Sequence, residues 1–108
     1  MADSTRIPVG KGTIEFRGDL SRFLRGHFYI QIFHSDQPGP CNDELCTMLT
    51  SFHVVASDLV PEDYRIIAGN GFYIIIEPAI YDSIDKNRQN VLLKIGLSGK
   101  ASIKGLYL

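Results

Sequence analysis

Residues 27–56 read HFYIQIFHSDQPGPCNDELCTMLTSFHVVA, and this stretch organises the rest of the chain. Residues 27–34 are mostly β-branched or aromatic, which is typical of a central strand. Pro38 and Pro40 flank a glycine and lack backbone donors, so they predict the end of that strand. Asn42 or Asp43 is a suitable N-cap, and apolar residues then recur at helical spacing. The stretch therefore predicts a strand, a turn and a helix over 43–56.

Outside this stretch, the pattern of apolar residues predicts five further strands. Residues 13–17 alternate, and residues 91–97 alternate in the same way. Two apolar runs at 64–69 and 72–77 flank Asn70-Gly71, the preferred sequence of a type I′ hairpin turn. Residues 101–108 read as a last strand after a turn. Residues 18–26 remain open between one helical turn capped by Asp19 and a simple hairpin connection.

These elements predict one α+β domain with a mostly antiparallel sheet of five or six strands. The helix at 43–56 is expected to pack on one face of the sheet. Residues 1–10 are predicted to be a flexible N-terminal arm, with residues 11–108 forming the globular domain; no internal repeat is visible. The expected core consists of Ile14, Phe16, Phe28, Ile30, Ile32, Leu45, Leu49, Phe52, Ile66, Ile74, Ile76, Leu93 and Ile95.

Charge is unevenly distributed along the 108 residues, although the net charge is only −1. Residues 27–64 contain six acids and no lysine or arginine, whereas the segments on both sides carry an excess of basic residues. If the folded surface keeps this separation, the acidic region of one molecule attracts a basic region of another. Such a bipolar surface favours head-to-tail self-association that weakens with salt. Intermixing of the charges on folding is the alternative.

Few residues suggest a catalytic or metal-binding site. His34, Cys41, Cys46 and His53 are zinc-binding residue types, but their spacing matches no common zinc motif, so they form only a weak candidate site. The stretch 10–13, GKGT, lacks the spacer of a phosphate-binding loop, and neither a nucleophile elbow nor a zinc-protease motif is present. The sequence therefore predicts a protein without a cofactor and without catalytic activity.

Basic residues near the end of the chain form a candidate anion-binding patch. Lys94, Lys100 and Lys104 fall on neighbouring strands of the predicted last hairpin, and Lys86 and Arg88 precede it. Such a patch suits phosphate or anionic lipid headgroups. A solvated sheet face is the simpler interpretation, and sequence-specific binding of nucleic acid is not expected.

Two stretches resemble the matrix proteins of rhabdoviruses. In that family a strand ends in a Val-Arg-Ser-x-Arg-Pro turn that leads into a helix; here residues 32–38 read IFHSDQP, with Ser35 and Pro38 matching. Phe52 stands where the family tends to have tryptophan. Later, residues 95–99 read IGLSG and match an Ile-Gly-Leu-x-Gly stretch that enters an alternating strand. His34 and Gln37 replace the two arginines of the family's turn.

The resemblance implies a compact or truncated matrix-type protein of the virion. Such proteins self-assemble, condense the viral nucleocapsid and link it to an anionic membrane surface, and they occur in virions and in the host cytoplasm or nucleus. A flexible N-terminal segment of one subunit docks on the next, which assigns self-association here to Ile7, Pro8 and Val9. A small, non-catalytic protein-interaction module is the alternative expectation.

Overall fold

Two four-stranded sheets, and not one sheet of five or six strands, build the protein in a computed structural model. The structure describes residues 4–42, 45–69 and 71–108, and within these it describes no side chains at residues 4, 40–42 and 45–47. In chain order the elements are β1 (Ser4–Val9), β2 (Gly12–Arg17), α1 (Leu20–Leu24), β3 (Tyr29–Asn42), β4 (Leu45–Ser57), β5 (Arg65–Ala68), β6 (Tyr73–Ile76), α2 (Pro78–Asn87), β7 (Asn90–Ile95) and β8 (Ala101–Lys104).

The strands of both sheets come from distant parts of the chain. Sheet A has the order β1-β2-β7-β8, and sheet B has the order β4-β3-β6-β5. Each sheet joins two antiparallel hairpins through one central parallel pair, β2 with β7 and β3 with β6. The predicted α+β class is confirmed, but the strands form two sheets, and in each sheet the central pair links a strand from the first half of the chain to one from the second.

The order of the elements repeats, since ββαββ occurs once in residues 4–57 and again in residues 65–104. Exchanging the two halves converts the β2–β7 pair into the β6–β3 pair, so the topology has a pseudo-two-fold symmetry. Ile7 and Ile14 stand opposite each other in β1 and β2, as Ile67 and Ile74 do in β5 and β6. The repeat thus lies in the pairing pattern, and very few identical residues mark it.

The core lies between the two sheets and is closed by the helices. Side chains from both central strand pairs meet there, and one face of α2 contributes Ile80 and Ile84. Phe16 packs edge-to-face against Phe72, with ring centroids 5.6 Å apart. The buried residues that the central strand pairs contribute to this core cluster are Ile14, Phe16, Ile30, Ile32, Ile74, Ile76, Val91 and Leu93. All of these except Val91 belong to the predicted core.

The predicted helix over 43–56 is wrong, because residues 45–57 form strand β4. This strand pairs antiparallel with β3 from Ser57 opposite Tyr29 to Leu45 opposite Asn42. Alternation also fits the segment, since Phe52 and Val54 reach the core side while Leu49 and Val55 remain exposed. The long strand β3 supplies the hydrogen-bonding partner, so tertiary pairing overrides the helical spacing. Of the two predicted cap residues, Asn42 is the last residue of β3, and Asp43 lies outside the described residues.

The predicted flexible arm is also replaced by structure. Residues 4–9 form β1, an edge strand of sheet A, and Ile7 and Val9 are buried in the core of their own chain. Pro8 is tolerated because an edge strand needs hydrogen-bond donors on one side only. Self-association through Ile7, Pro8 and Val9 stays a prediction, and it would require β1 to leave its own sheet.

Three residues of the predicted core are exposed in the structure. Phe28, Leu49 and Ile66 each expose more than half of their accessible surface. Phe52 and Ile95 are partly buried against the core, which agrees with their prediction. The side chain of Leu45 lies outside the described part of the chain.

Residues 18–26 contain the short helix α1, capped by Asp19 as one of the two interpretations predicts. The Asp19 carboxylate accepts hydrogen bonds from the backbone N–H groups of Ser21 (3.1 Å) and Arg22 (3.3 Å). The hydroxyl of Ser21 also donates to it at 2.6 Å. This hydroxyl bond, followed by the bond from the Arg22 N–H, lowers the pKa of Asp19 below its ordinary value.

We expect Asp19→Ala to destabilise the protein at neutral pH, because two N–H donors at the start of α1 lose their acceptor. A lowered folded-state pKa stabilises above the unfolded-state pKa, and this contribution is lost as the pH falls through the folded value. The difference between the two proteins should therefore shrink in acid, below the ordinary pKa of aspartate. Urea unfolding across this pH range measures it. Asp19→Asn keeps a cap without a titrating group, and a pH-independent difference for Asp19→Ala would contradict the assignment.

Candidate functional site

The β3–β4 hairpin extends beyond the body of the protein. β3 has 14 residues and β4 has 13, but β3 pairs with β6 only through Tyr29–Ile32. From Phe33 outwards, β4 is the only partner strand of β3 in the described chain. The molecule is accordingly elongated, measuring 51 × 31 × 27 Å. We call residues 33–53 the hairpin arm.

The hairpin arm is acidic and partly apolar. Its sequence contains three acids and no lysine or arginine. Asp36 is exposed on β3, while Asp43 and Glu44 lie outside the described residues. Met48 and Leu49 expose 62% and 55% of their surface, so apolar groups accompany the negative charge. A surface of this composition suits contact with another protein that carries complementary basic groups.

Polar contacts fix the inner side of the hairpin arm where it leaves the core. His34 Nδ1 is hydrogen-bonded to Glu77 Oε1, at the residue that precedes α2. The Thr50 hydroxyl donates to Asp36 Oδ1 across the two strands at 2.7 Å. Asp36 Oδ2 also lies 3.8 Å from His34 Nε2. These contacts hold both strands of the arm together and anchor it to sheet B and α2.

The outer side of the arm carries a serine–histidine pair. Ser35 Oγ lies 2.7 Å from His53 Nε2, and the His53 ring stacks on Phe33 with centroids 4.9 Å apart. A serine nucleophile needs a histidine base that is oriented by a third group, usually a carboxylate. Within the described residues no carboxylate lies at ion-pair distance from His53. The Ser35–His53 contact joins β3 to β4 within the arm.

The two histidines of the weak zinc candidate are not brought together by the fold. His34 stands opposite Phe52, and His53 stands opposite Phe33, so neighbouring positions place the two rings on opposite faces of the hairpin. Cys41 and Cys46 are opposite each other in the register, and their side chains lie outside the described residues. Among the residues that the structure describes, no group of three or more His, Cys, Asp or Glu side chains is placed to hold a metal ion.

The outer side of sheet A carries the opposite charge. Alternation places Arg17, Lys94 and Lys104 on this side, because their neighbours in each strand face the core. Arg17 stands beside Lys94 in the parallel β2–β7 pair. Arg6 joins them from β1, and Glu15 contacts the guanidinium groups of Arg6 (3.3 Å) and Arg17 (3.0 Å). We call these four basic residues with Glu15 the basic face.

The predicted basic patch is thus brought together only in part. Lys94 and Lys104 lie on the basic face, whereas Lys100 belongs to the turn between β7 and β8. Lys86 and Arg88 lie in the last turn and the C-cap of α2, on a different element. Sequence reasoning missed Arg6 and Arg17, because their inclusion depends on β1 and β2 pairing beside β7. Alternation at residues 13–17 is the one signal that puts Arg17 on an outer face.

Neither helix in the described part of the chain has the length and apolar character to cross a membrane. Comparison of the chain with protein-family models, with curated proteins and with solved structures found no match.

Proposed function

We propose that this protein is a non-catalytic structural protein that self-assembles head to tail. The hairpin arm of one copy docks on the basic face of the next. The separation of charge supports this proposal: the arm has no lysine or arginine, and the basic face has four basic residues around a single glutamate. Charge complementarity between two surfaces of one chain steers copies into a defined orientation.

The positions of the two surfaces favour an extended assembly. The hairpin arm extends from sheet B, whereas the basic face covers the outside of sheet A. An interface between two different patches of the same chain leaves one free patch on each end copy. Further copies can then add, and the product is a ring or a filament. A viral matrix-type role, in which such an assembly condenses a nucleocapsid at an anionic membrane, is the specific form that the sequence resemblance suggests.

A small interaction module that binds a different protein is the second candidate. The observation that favours it is the position of β4, which is a 13-residue strand at the edge of sheet B. An exposed edge can receive an extended peptide from a partner as an additional strand. Such a module would remain monomeric in isolation.

We expect the wild-type chain to associate at about 50 mM salt and to dissociate at about 500 mM, where the screening length falls to roughly 4–5 Å. Lys94→Glu/Lys104→Glu should be monomeric at both concentrations, because two attractive charges on the basic face become repulsive. Sedimentation velocity over a range of protein concentrations measures this. Lys86→Glu/Lys100→Glu makes the same change of charge elsewhere and should assemble like the wild type.

A mixing experiment tests the head-to-tail geometry directly. Asp36→Lys/Leu49→Lys places positive charge on the hairpin arm and should also be monomeric alone. This variant keeps a functional basic face, and Lys94→Glu/Lys104→Glu keeps a functional arm. An equimolar mixture should therefore form dimers of one copy of each, and these dimers cannot grow. A mixture that remains monomeric, or wild-type assembly that resists salt, would refute the proposed interface.

A further inference from the structure

A cleft of about 580 Å³ opens between α1, β4 and the turn that joins β7 to β8. Its volume lies in the range of sites for small molecules. It is separate from the basic face, which lies on the outer side of sheet A. The cleft is lined by Phe23, Arg25, His27, Val54, Val55, Ala56, Ser98, Gly99, Lys100 and Ala101.

Part of the cleft lining is polar and positively charged. Arg25 and Lys100 line the cleft together with the hydroxyl-bearing Ser98, and no acidic residue is found among the described lining residues. His27 also lines the cleft, and its Nδ1 lies 2.8 Å from Oδ1 of Asp58, a residue outside the lining. Two full positive charges therefore face the cleft without a lining carboxylate to neutralise them. A planar guanidinium beside an ammonium group is a common arrangement for binding phosphate.

Contacts around the turn bring α1 close to it. The Arg22 guanidinium donates to the Leu97 carbonyl at 2.7 Å, which ties α1 to the β7–β8 turn. Arg25 is the C-cap of α1 in the left-handed conformation, with φ of 48°. A Cβ atom built at Gly99 would lie 3.3 Å from Arg25 Nη2. The guanidinium of Arg25 therefore lies next to the turn that carries Lys100.

Other residues that line the cleft are apolar. Phe23 is buried, and Val54 and Ala101 are partly buried against the core. Val55 and Ala56 add apolar surface from β4. The cleft thus combines a compact positive site with a hydrophobic surface large enough for a small ring system.

We propose that this cleft binds a small organic phosphate, a phosphomonoester on an apolar or aromatic body. The phosphate is held by Arg25, Lys100 and the Ser98 hydroxyl, and the body lies against Phe23, Val54 and Ala101. The phosphate group and the apolar body are each necessary, because the basic and hydroxyl groups of the lining match the first and its apolar residues match the second. A soluble phosphomonoester and the headgroup of a phosphatidate lipid both have this chemistry.

The test is an NMR titration of the full chain with 1-naphthyl phosphate, at a protein concentration where the chain is monomeric. Saturable shifts are expected at residues 23–27, 54–56 and 98–101. Inorganic phosphate and 1-naphthol, which supply one half of the ligand each, should bind at least about 10-fold more weakly. A parallel titration with phosphatidate-containing vesicles distinguishes the lipid source, since a membrane ligand bound in this cleft would make the protein co-sediment and Arg25→Gln/Lys100→Gln would abolish that co-sedimentation.

Arg25→Gln/Lys100→Gln should weaken the binding of 1-naphthyl phosphate by about 10-fold or more, and Lys100→Gln alone should weaken it by about 3-fold, since charge-assisted hydrogen bonds are lost. Lys94→Gln/Lys104→Gln removes equal charge from the basic face and should leave the affinity unchanged. Equal weakening by both double variants, shifts outside the cleft only, or equal affinity for inorganic phosphate would overturn the proposal. The control variant also separates this site from self-assembly, because only that pair alters the basic face.

Discussion

Ile74→Ala is expected to lower the free energy of unfolding by about 3–5 kcal/mol, whereas Ile66→Ala should lower it by less than about 1 kcal/mol. Both substitutions remove the same atoms, from neighbouring strands of one hairpin. Ile74 lies in the centre of the core with none of its surface exposed, while Ile66 exposes 56%. Truncation of Ile74 leaves a cavity between the sheets, and truncation of Ile66 leaves a surface that water can fill.

The pseudo-two-fold symmetry adds a second expectation. Ile14 occupies the position in β2 that Ile74 occupies in β6, and it is equally buried. Ile14→Ala should therefore cost about as much as Ile74→Ala, although the two residues are 60 positions apart in the sequence. Urea unfolding measures all three variants, and an unchanged m-value shows that stability alone has changed. A similar loss for Ile66→Ala would contradict the described orientation of β5.

Local signals in the sequence were sufficient for the short strands. The strand predicted over 13–17 is confirmed by β2, and the one predicted over 91–97 is confirmed as far as Ile95, because one side of each strand meets the core. The hairpin predicted around Asn70-Gly71 is confirmed by the antiparallel pairing of Ala68 with Tyr73. These features depend on neighbouring residues and on burial alone, so a single sequence contains them.

The two larger errors of prediction, the helix over 43–56 and the flexible arm over 1–10, have a common cause. Each segment contains a strand, and the strand that pairs with it lies outside the segment. The apolar positions from Leu45 to Ala56 fit both a helix and a strand, and only the pairing with β3 decides between them. The alternation of Thr5, Ile7 and Val9 was available as a strand signal, but Pro8 and the chain end made it resemble a flexible arm. Strand pairing between distant segments is not encoded in local periodicity.

The candidate surfaces also differ in how far the sequence alone predicts them. The absence of lysine and arginine from residues 27–64 predicts an acidic region, and the hairpin arm lies within it. The basic face requires the parallel pairing of β2 with β7, which places Arg17 beside Lys94. The basic part of the cleft lining requires α1 to approach the β7–β8 turn, through the contact between Arg22 and Leu97. Neither approach has a signal in the sequence.

Gly12→Ala is expected to lower the free energy of unfolding by about 3 kcal/mol, through overpacking against rigid backbone. A Cβ atom at Gly12 would lie 2.5 Å from the carbonyl oxygen of Gln89 and 2.6 Å from that of Ile84. Both oxygens belong to the end of α2 and its exit, so α2 would have to move away from β2. That movement would also break the bond from the Thr13 N–H to the Gln89 carbonyl, now 2.9 Å long.

Gly96→Ala is the matched control, because the nearest atom to a Cβ at Gly96 is the Lys100 carbonyl oxygen, at the ordinary distance of 3.7 Å. Its effect should stay within about 0.5 kcal/mol. Urea unfolding measures both variants, and hydrogen exchange at the Thr13 amide should accelerate in Gly12→Ala alone. Equal stability of the two variants would contradict the close approach of β2 and α2. In this structure, packing explains the GKGT stretch: the Lys11 N–H donates to Asp85 of α2 at 2.8 Å, and the missing side chain of Gly12 leaves room for the end of that helix. Equal stability of the two variants would remove this explanation.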